Sequence, residues 1–388
     1  MPLAPLVEPG PPLTAAQVER WSRHLLLPVL GEAGQRRLRN ARVCVVGAGG
    51  LGAPVLLYLA AAGVGRLGIV DHDDVELTNL QRQVVHGTAD VGRAKTESAR
   101  DAVHAIDDGV DVVLHHVRLD ATNVDAVLAG YDLVVDGTDN FPTRYLVNDA
   151  CVRLGLPEVW GSVYRFDAQV SVFWGRPPSG SGADPVQLRD LFPAPPPPGS
   201  VPSCAEGGVL GALVGQVGTI MATEAVKLVT GTGEPLLGRV LVLDGLAARW
   251  SELPLRGSVT TGDGVDDAGP EGEHEDAVAT IAATALAERL AARDRGADDF
   301  TLVDVREPAE RAIVAIPGAI AVPLGALLDG SGVAAVPADR PVVLHCRSGV
   351  RSEQAARALR AAGRDDVVHL EGGVLAWVRD VDPTLPSY

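Results

Sequence analysis

No two of the four cysteines, Cys44, Cys151, Cys204 and Cys346, form a C-x-x-C pair, so the usual spacing of a zinc or dithiol site is missing. They stand as single thiols. Basic charge is also short. With 33 Lys and Arg against 50 Asp and Glu the formal net charge is −17, which argues against nucleic acid or an anionic membrane as the main partner, since both are bound through basic surface. No run approaches the roughly 18 uninterrupted apolar residues of a membrane span. The proline-rich start, Met1 to Pro12, lacks the basic-then-apolar order of a secretory signal, and a cytoplasmic location is expected. The nine histidines are scattered, and adjacent His115 and His116 in an alternating strand would face opposite ways, which opposes shared ligation. No structural metal is expected.

What is present is enough chain for two cores: 388 residues, 46% of them hydrophobic. We expect a first domain over residues 1–253, an acidic flexible linker over 254–280 and a second domain over 281–388. From Gly257 to Asp276 there are seven acidic residues, several glycines and almost no large apolar side chain, a composition unable to bury a core.

The first domain is organised around Val43-Cys44-Val45-Val46-Gly47-Ala48-Gly49-Gly50-Leu51-Gly52. Four small or β-branched apolar residues suit a strand buried on both faces of a parallel sheet. Gly47, Gly49 and Gly52 then fit G-x-G-x-x-G, in which glycines allow a sharp turn, close approach of backbone to a phosphate, and tight helix packing. The motif is shared by dehydrogenases, flavoproteins and adenylating enzymes, and a tight turn without ligand also satisfies it. Ahead of it, Thr14 to Leu30 reads as a helix with a Thr14/Gln17 capping box, and Arg20 and Arg23 on it suit a solvated face. After it come helix Ala53 to Ala62, closed by Gly63, strand Leu67 to Val70, and Asp71, placed to hydrogen-bond a ribose. Arg82 and Lys95 follow. Each alone reads as a surface charge, but cleaving ATP between its α and β phosphates requires cations, whereas hydride transfer does not. Strand Leu133 to Val135 ends in Asp136-Gly137-Thr138-Asp139-Asn140, where Asp139 serves either to hold Mg²⁺ with a nucleotide or to cap the helix Phe141 to Leu154.

Cys44 and Cys151 lie in apolar patterns and read as buried thiols. Cys204 differs: it follows a Pro-, Gly- and Ser-rich crossing loop, Arg176 to Pro202, and precedes an apolar helix beginning near Val209, so it is a candidate nucleophile. Cys346 leaves a buried strand, Val342 to His345, and enters Arg347-Ser348-Gly349-Val350-Arg351, just before a helix over Ser352 to Ala361. Successive N–H groups of such a loop form a nest for an anionic sulfur, and Arg347 and Arg351 add positive charge. A cysteine loop closed by an arginine, here Cys346 to Arg351, fits both a persulfide carrier and a phosphate-binding phosphatase loop.

Together, Gly47 to Gly52, Asp71, Thr78 to Gln83, Lys95, Thr138-Asp139-Asn140 and Pro202 to Val209 resemble the MoeB/ThiF family, bacterial relatives of ubiquitin-activating enzymes, over about Leu13 to Leu253. Asp304-Val305-Arg306-Glu307, Ile316-Pro317-Gly318-Ala319 and the Cys346 loop resemble a rhodanese domain, with Trp377 ending the pattern as a packing residue. The resemblance implies a Rossmann-like mixed α/β sheet with a nucleotide-binding glycine turn, followed by a small α/β rhodanese domain, as in the MoeZ-type fused members. It implies that Gly50, Asp71, Asn79, Arg82, Lys95 and Asp139 contact ATP, with Thr78, Leu80, Gln81 and Asn140 in the same site. Arg23 matches an arginine that enters the partner subunit's site, implying a homodimer, and Cys204 matches a cysteine able to take the activated acyl group. Two C-x-x-C pairs that bind zinc in many members are missing here, so no zinc is expected. The implied activity is ATP- and Mg²⁺-dependent adenylation of a ubiquitin-like sulfur carrier protein ending in Gly-Gly, of the MoaD, ThiS or CysO kind. Sulfur transfer from a Cys346 persulfide, loaded by thiosulfate or a cysteine desulfurase, then gives a thiocarboxylate. The alternatives are an NAD-dependent oxidoreductase with a rhodanese appendage and a non-catalytic sulfur-relay scaffold.

Overall fold

The computed structural model describes residues 3–195, 208–257 and 278–387, and the chain divides into two compact units on either side of the acidic stretch.

The first unit is built on an eight-stranded sheet. Its strands are β1 (Arg42–Val46), β2 (Arg66–Val70), β3 (Asp111–His115), β4 (Leu133–Asp136), β5 (Glu158–Tyr164), β6 (Asp167–Phe173), β7 (Arg239–Asp244) and β8 (Arg249–Pro254). They lie in the order β3-β2-β1-β4-β5-β6-β7-β8, parallel from β3 to β5 and antiparallel beyond. β1 sits between β2 and β4, with Val43 paired to both Leu67 and Leu133, and Val43, Cys44 and Val45 have no solvent exposure. The order in which successive strands are added reverses between β1 and β4, which run parallel, so the loops after these strands part at their carboxyl ends and leave a crevice.

The glycine turn is tight as expected. Gly47 takes a φ of +91°, and a Cβ on Gly52 would collide with the Gly47 carbonyl. Gly52→Ala is therefore expected to cost about 3 kcal/mol, a fall in Tm of roughly 6–12 °C for a unit of this size. Gly215→Ala, in the interior of helix Gly211–Thr230 with nothing within 4 Å of its added carbon, is the control and should leave Tm unchanged or slightly raised. Equal melting of Gly52→Ala and the unaltered protein would contradict the collision.

Helix Gly52–Ala62 ends on Gly63 in the left-handed conformation. Helix Gly211–Thr230 is long and apolar enough to cross a membrane by length and composition, but here it is a core element: it lies against Gly52–Ala62 and β5, with Gly218 over Pro54 and Met221 over Gly161. The single helix expected over Thr14 to Leu30 is instead two short ones, Ala15–Arg20 and Ser22–Leu25. Trp21 breaks it by turning inward, 4% exposed, to donate from Nε1 to the Ala61 carbonyl and cover Gly63. The Thr14/Gln17 capping box forms. The cap of helix Phe141–Leu154 is Asn140 rather than Asp139, its Oδ1 accepting from Thr143 N at 3.0 Å.

The second unit has a five-stranded parallel sheet made of β9 (Thr280–Ile281), β10 (Thr301–Asp304), β11 (Ala319–Ala321), β12 (Val342–His345) and β13 (Val367–Leu370), ordered β11-β10-β12-β13-β9. Alternate residues of β10 and β12 feed two cores: Val303, Val342 and Leu344 pack with Ala355 and Leu359 on one face, Leu302 and Val343 with Leu286 and Trp377 on the other. Trp377 is a packing residue, as expected. β9 was not anticipated; two residues at the end of the acidic stretch carry no periodicity, and the pairing to β13 is what makes them a strand. The helix expected over Ser352 to Ala361 starts two residues earlier, at Val350, because Gly349, at a φ of +103°, lets the loop close directly into it.

Candidate functional sites

The crevice in the first unit is a cavity of about 370 Å³. Its floor is the glycine turn and its walls come from the loops after β2 and β4. Asp71 is not free in it: Oδ2 accepts from Ala48 N and Oδ1 from Asp73 N, both at 2.9 Å, so the carboxylate ties the second strand's end to the turn. Lys95 opens helix Lys95–Ile106 and donates from Nζ to Asp73 Oδ2 at 2.9 Å, with its side chain 8% exposed. Burial opposes charge on Asp73, but the hydrogen bond and charge of Lys95 outweigh it and hold the carboxyl below its ordinary pKa.

Arg82 lies against the turn at Gly50, where a Cβ would meet its Cγ at an ordinary 3.7 Å but would crowd Val214 Cγ1 at 2.8 Å. Its Nη1 donates to the Thr78 carbonyl at 3.0 Å. Gly50, Asp71, Arg82, Lys95, Asp139 and Asn140 all line the cavity, whereas Thr78, Asn79, Leu80 and Gln81 do not. The latter build the support: Asn79 is buried, ends the 3-10 turn Leu77–Asn79 and accepts from Glu76 N at 3.1 Å, and this turn delivers Arg82. Arg23 is outside its own chain's cavity as well, on Ser22–Leu25 beside exposed Leu26 and Val29.

In the second unit, β12 delivers Cys346 into its loop at 1% exposure. Gly349 N donates to Sγ at 3.1 Å, and Ser352 Oγ lies 3.6 Å from it. The loop is held from outside by the Gly372-Gly373 bend, where Val374 N donates to the Cys346 carbonyl at 2.8 Å and Leu375 N to that of Arg347 at 3.1 Å. A Cβ on Gly373 would stand 2.5 Å from the Arg347 oxygen. Beneath it, Asp304 and Arg306 form an ion pair at 2.7 Å with both side chains fully buried, and burial pulls the neighbouring His345 pKa down to about 4, so it stays neutral near pH 7. The expectation that Arg351 adds free positive charge is corrected: its guanidinium binds both oxygens of Glu310, at 2.7 and 2.8 Å. Cys44 and Cys151 are buried, with burial raising both thiol pKa values. Cys204 lies outside the described residues.

A family model described as "ThiF family" matches residues 21–261, more than half of the chain and the whole frame of the cavity. The chain belongs to the ThiF family. A second family model, "Rhodanese-like domain", matches residues 285–380, which include Cys346 and its loop. The chain is 50% identical to the probable adenylyltransferase/sulfurtransferase MoeZ of Mycobacterium tuberculosis, over 100% of its own length and 99% of that protein. It is 51% identical to the sulfur carrier protein adenylyltransferase of Thermus thermophilus over 63% of this chain and 89% of that one. Among solved structures, Escherichia coli MccB with a MccA peptide shares the fold at a TM-score of 0.54 and 23% identity, covering 62% of this chain and 72% of that one.

At this ThiF-family cavity, sequence reasoning missed Arg144 and Asp73, which line it, and His86, which supports the glycine turn from outside the lining. Arg144 is buried between the Phe141 and Trp160 rings, 5.5 and 5.7 Å from their centroids, and donates from Nε and Nη2 to the Thr138 carbonyl at 3.2 and 2.9 Å. It fixes the loop that carries Asp139. His86 Nε2 donates to the Ala48 carbonyl at 3.0 Å, which leaves Nδ1 to accept from Ser98 Oγ at 2.8 Å. Burial lowers its pKa, so a neutral ring braces the glycine turn against the Lys95 helix. Phe141 lies three residues before Arg144 on the same helix, but Trp160 comes from β5, so no local spacing announces that Arg144 is enclosed. The sequence Asp71-His72-Asp73 did carry a signal for Asp73: a carboxylate two residues from a cavity-lining one, at the same strand's end.

Proposed function

We infer that this chain is an adenylyltransferase and sulfurtransferase. It activates the C-terminal glycine of a ubiquitin-like sulfur carrier ending in Gly-Gly and converts it to a thiocarboxylate. The observation that carries the reading is the pairing, in one chain, of a glycine-floored cavity holding Arg82 and Lys95 with a buried cysteine sulfur that accepts a backbone N–H in a loop. The names of the relatives support both halves.

In the first step a carboxylate oxygen of the carrier attacks the α-phosphorus of ATP and pyrophosphate leaves. Lys95 exchanges Asp73 for phosphate oxygens, and Arg82, held over the turn by the Thr78 carbonyl, meets the charge that develops on the leaving group. Asp139, exposed on the cavity wall, offers the hard oxygen that Mg²⁺ accepts. Bound with ATP, the ion neutralises phosphate charge. Arg23 acts in the partner subunit's cavity of a homodimer. In the second step the terminal sulfur of the Cys346 persulfide attacks the carbonyl carbon and AMP leaves; on the alternative route Cys204 first displaces AMP to form a thioester, and the persulfide then displaces the Cys204 thiolate. A thiol then attacks the Cys346 sulfur, breaking the S–S bond and releasing the thiocarboxylate, and a second thiol reduces the resulting Cys346 disulfide, so that Cys346 leaves as the thiolate. Thiosulfate or a cysteine desulfurase reloads the cysteine; with thiosulfate, the thiolate takes the sulfane sulfur and sulfite leaves.

The test is the intact mass of candidate carriers ending in Gly-Gly after incubation with this protein, ATP, Mg²⁺ and a sulfur donor. The expected result is a gain matching one oxygen replaced by sulfur, absent without ATP. No gain with any carrier, while Cys346 demonstrably carries a persulfide, would overturn the adenylation half. The carrier that responds also assigns the pathway among molybdopterin, thiamin, cysteine and tRNA thiolation routes.

A further inference from the structure

Around the Cys346 sulfur three polar side-chain or backbone groups compete for one proton. Ser352 Oγ lies 3.6 Å from Sγ, 2.9 Å from the Gly349 carbonyl oxygen and 3.5 Å from His369 Nδ1. Ser352 has no solvent exposure and His369 has 7%, so water does not resolve the competition. The groups come from separate elements: Cys346 ends β12, Ser352 is in the first turn of helix Val350–Ala361, and His369 is on β13.

The hydroxyl carries one hydrogen and two lone pairs. While the cysteine is a neutral thiol, the carbonyl at 2.9 Å is the better acceptor. When the sulfur is anionic it becomes the stronger acceptor, since hydrogen bonds to ionised groups exceed neutral ones. If the imidazole carries its proton on Nδ1, it donates into a serine lone pair and polarises the O–H toward the sulfur. We propose that His369 is a positioning residue for Cys346, acting through Ser352: its Nδ1–H turns the serine proton onto the sulfur and stabilises the thiolate that leaves when the Cys346 disulfide is reduced after sulfur transfer.

This rests on the reading of Cys346 as the sulfur carrier. After the thiocarboxylate has left, a second thiol bonds to the outer sulfur of the Cys346 disulfide, the S–S bond breaks, and its electron pair stays on Sγ; that thiol is the reductant. A better stabilised thiolate is a better leaving group. Gly349 N–H supplies one hydrogen bond to it, and Ser352 supplies the second. The charges facing Cys346 are Arg347 and the Arg351–Glu310 pair on its loop side, with Asp304, Arg306, Arg311 and neutral His345 beneath. Those facing His369 are Glu353 and Arg357 from the helix and Glu371 after β13; burial lowers its pKa despite the two carboxylates, so the ring is neutral near pH 7 and its tautomer decides the relay.

The pH dependence of iodoacetamide alkylation at Cys346, located by peptide mass in the full chain, reads the thiolate. Ser352→Ala is expected to raise the midpoint by about one pH unit. His369→Leu should raise it by about half as much, add nothing in the Ser352→Ala background, and be rescued by His369→Gln, whose amide keeps a donor. An unchanged midpoint in His369→Leu, or additive shifts in the double variant, would overturn the relay. Should His369→Leu not fold, ¹⁵N shifts of His369 in the unaltered protein decide instead: an Nε2–H tautomer rules the proposal out, Nδ1–H upholds it. Alkylation does not depend on persulfide chemistry. Failure of any donor to load Cys346 would sink the sulfur-carrier reading while leaving the midpoints measurable.

Discussion

Cys346→Ala is expected to lower thiocarboxylate formation below about one-thousandth of the unaltered rate, while ATP–pyrophosphate exchange driven by the carrier stays within about twofold. The asymmetry follows from where the atoms are. The sulfane sulfur has to be bonded to Sγ, and alanine has no atom to hold it. The described residues that line the cavity proposed for ATP all belong to the first unit, so adenylation is expected to lose nothing. The substitution is also mild structurally: it removes one sulfur atom from a site otherwise closed by the Gly349 loop and the Gly372-Gly373 bend, whose hydrogen bonds run to the Cys346 backbone. The measurement is a pair: labelled pyrophosphate exchange and intact carrier mass on the same preparation. Loss of exchange together with sulfur transfer would refute the division of labour between the units.

The parts of this molecule that were legible in its sequence are those encoded over a few consecutive residues. A buried apolar run ending in Gly47-Ala48-Gly49 fixes β1, its turn and the helix behind it, because strand burial, positive φ and close helix approach all act within ten residues. The same holds for Cys346 and its loop. What was not legible depends on partners far away in the chain. Trp21 splits a helical pattern because it finds the Ala61 carbonyl and the bare Cα of Gly63. Arg144 looks like an ordinary helix-surface arginine until Trp160, on β5, closes over it. Arg351 looks like a free cation until Glu310, 41 residues away, binds it on two sides. Charges are the least readable class, since a sequence states their sign but not their partner, and the partner decides whether the charge reaches a ligand.

Lys95 is the sharpest case, and it yields the second large effect. Lys95→Met is expected to lower ATP–pyrophosphate exchange by about 10²–10³, mostly in kcat, because a preorganised cation in a partly closed cavity acts on charge that grows as the α–β phosphate bond breaks. In the structure that cation is bound to Asp73, whose side chain is 52% exposed, so two roles compete. If the pair were merely structural, Asp73→Asn and Lys95→Met would be equally harmful. If Asp73 only parks the lysine between turnovers, Asp73→Asn leaves the ammonium buried to 8% exposure beside the glycine turn and ready for phosphate, and exchange should change by less than about tenfold. Lys95→Arg should recover little, because a guanidinium is larger and planar and its donors leave along different directions from the compact ammonium. Rates for Lys95→Met within threefold of the unaltered protein would show that Arg82 alone carries the phosphate charge. Equal losses in both variants would make the ion pair a brace rather than a catalytic device. The exposed carboxylate is what gives the experiment its direction: freeing Asp73 into solvent costs little, so nearly all of the loss in Lys95→Met reports on the missing positive charge.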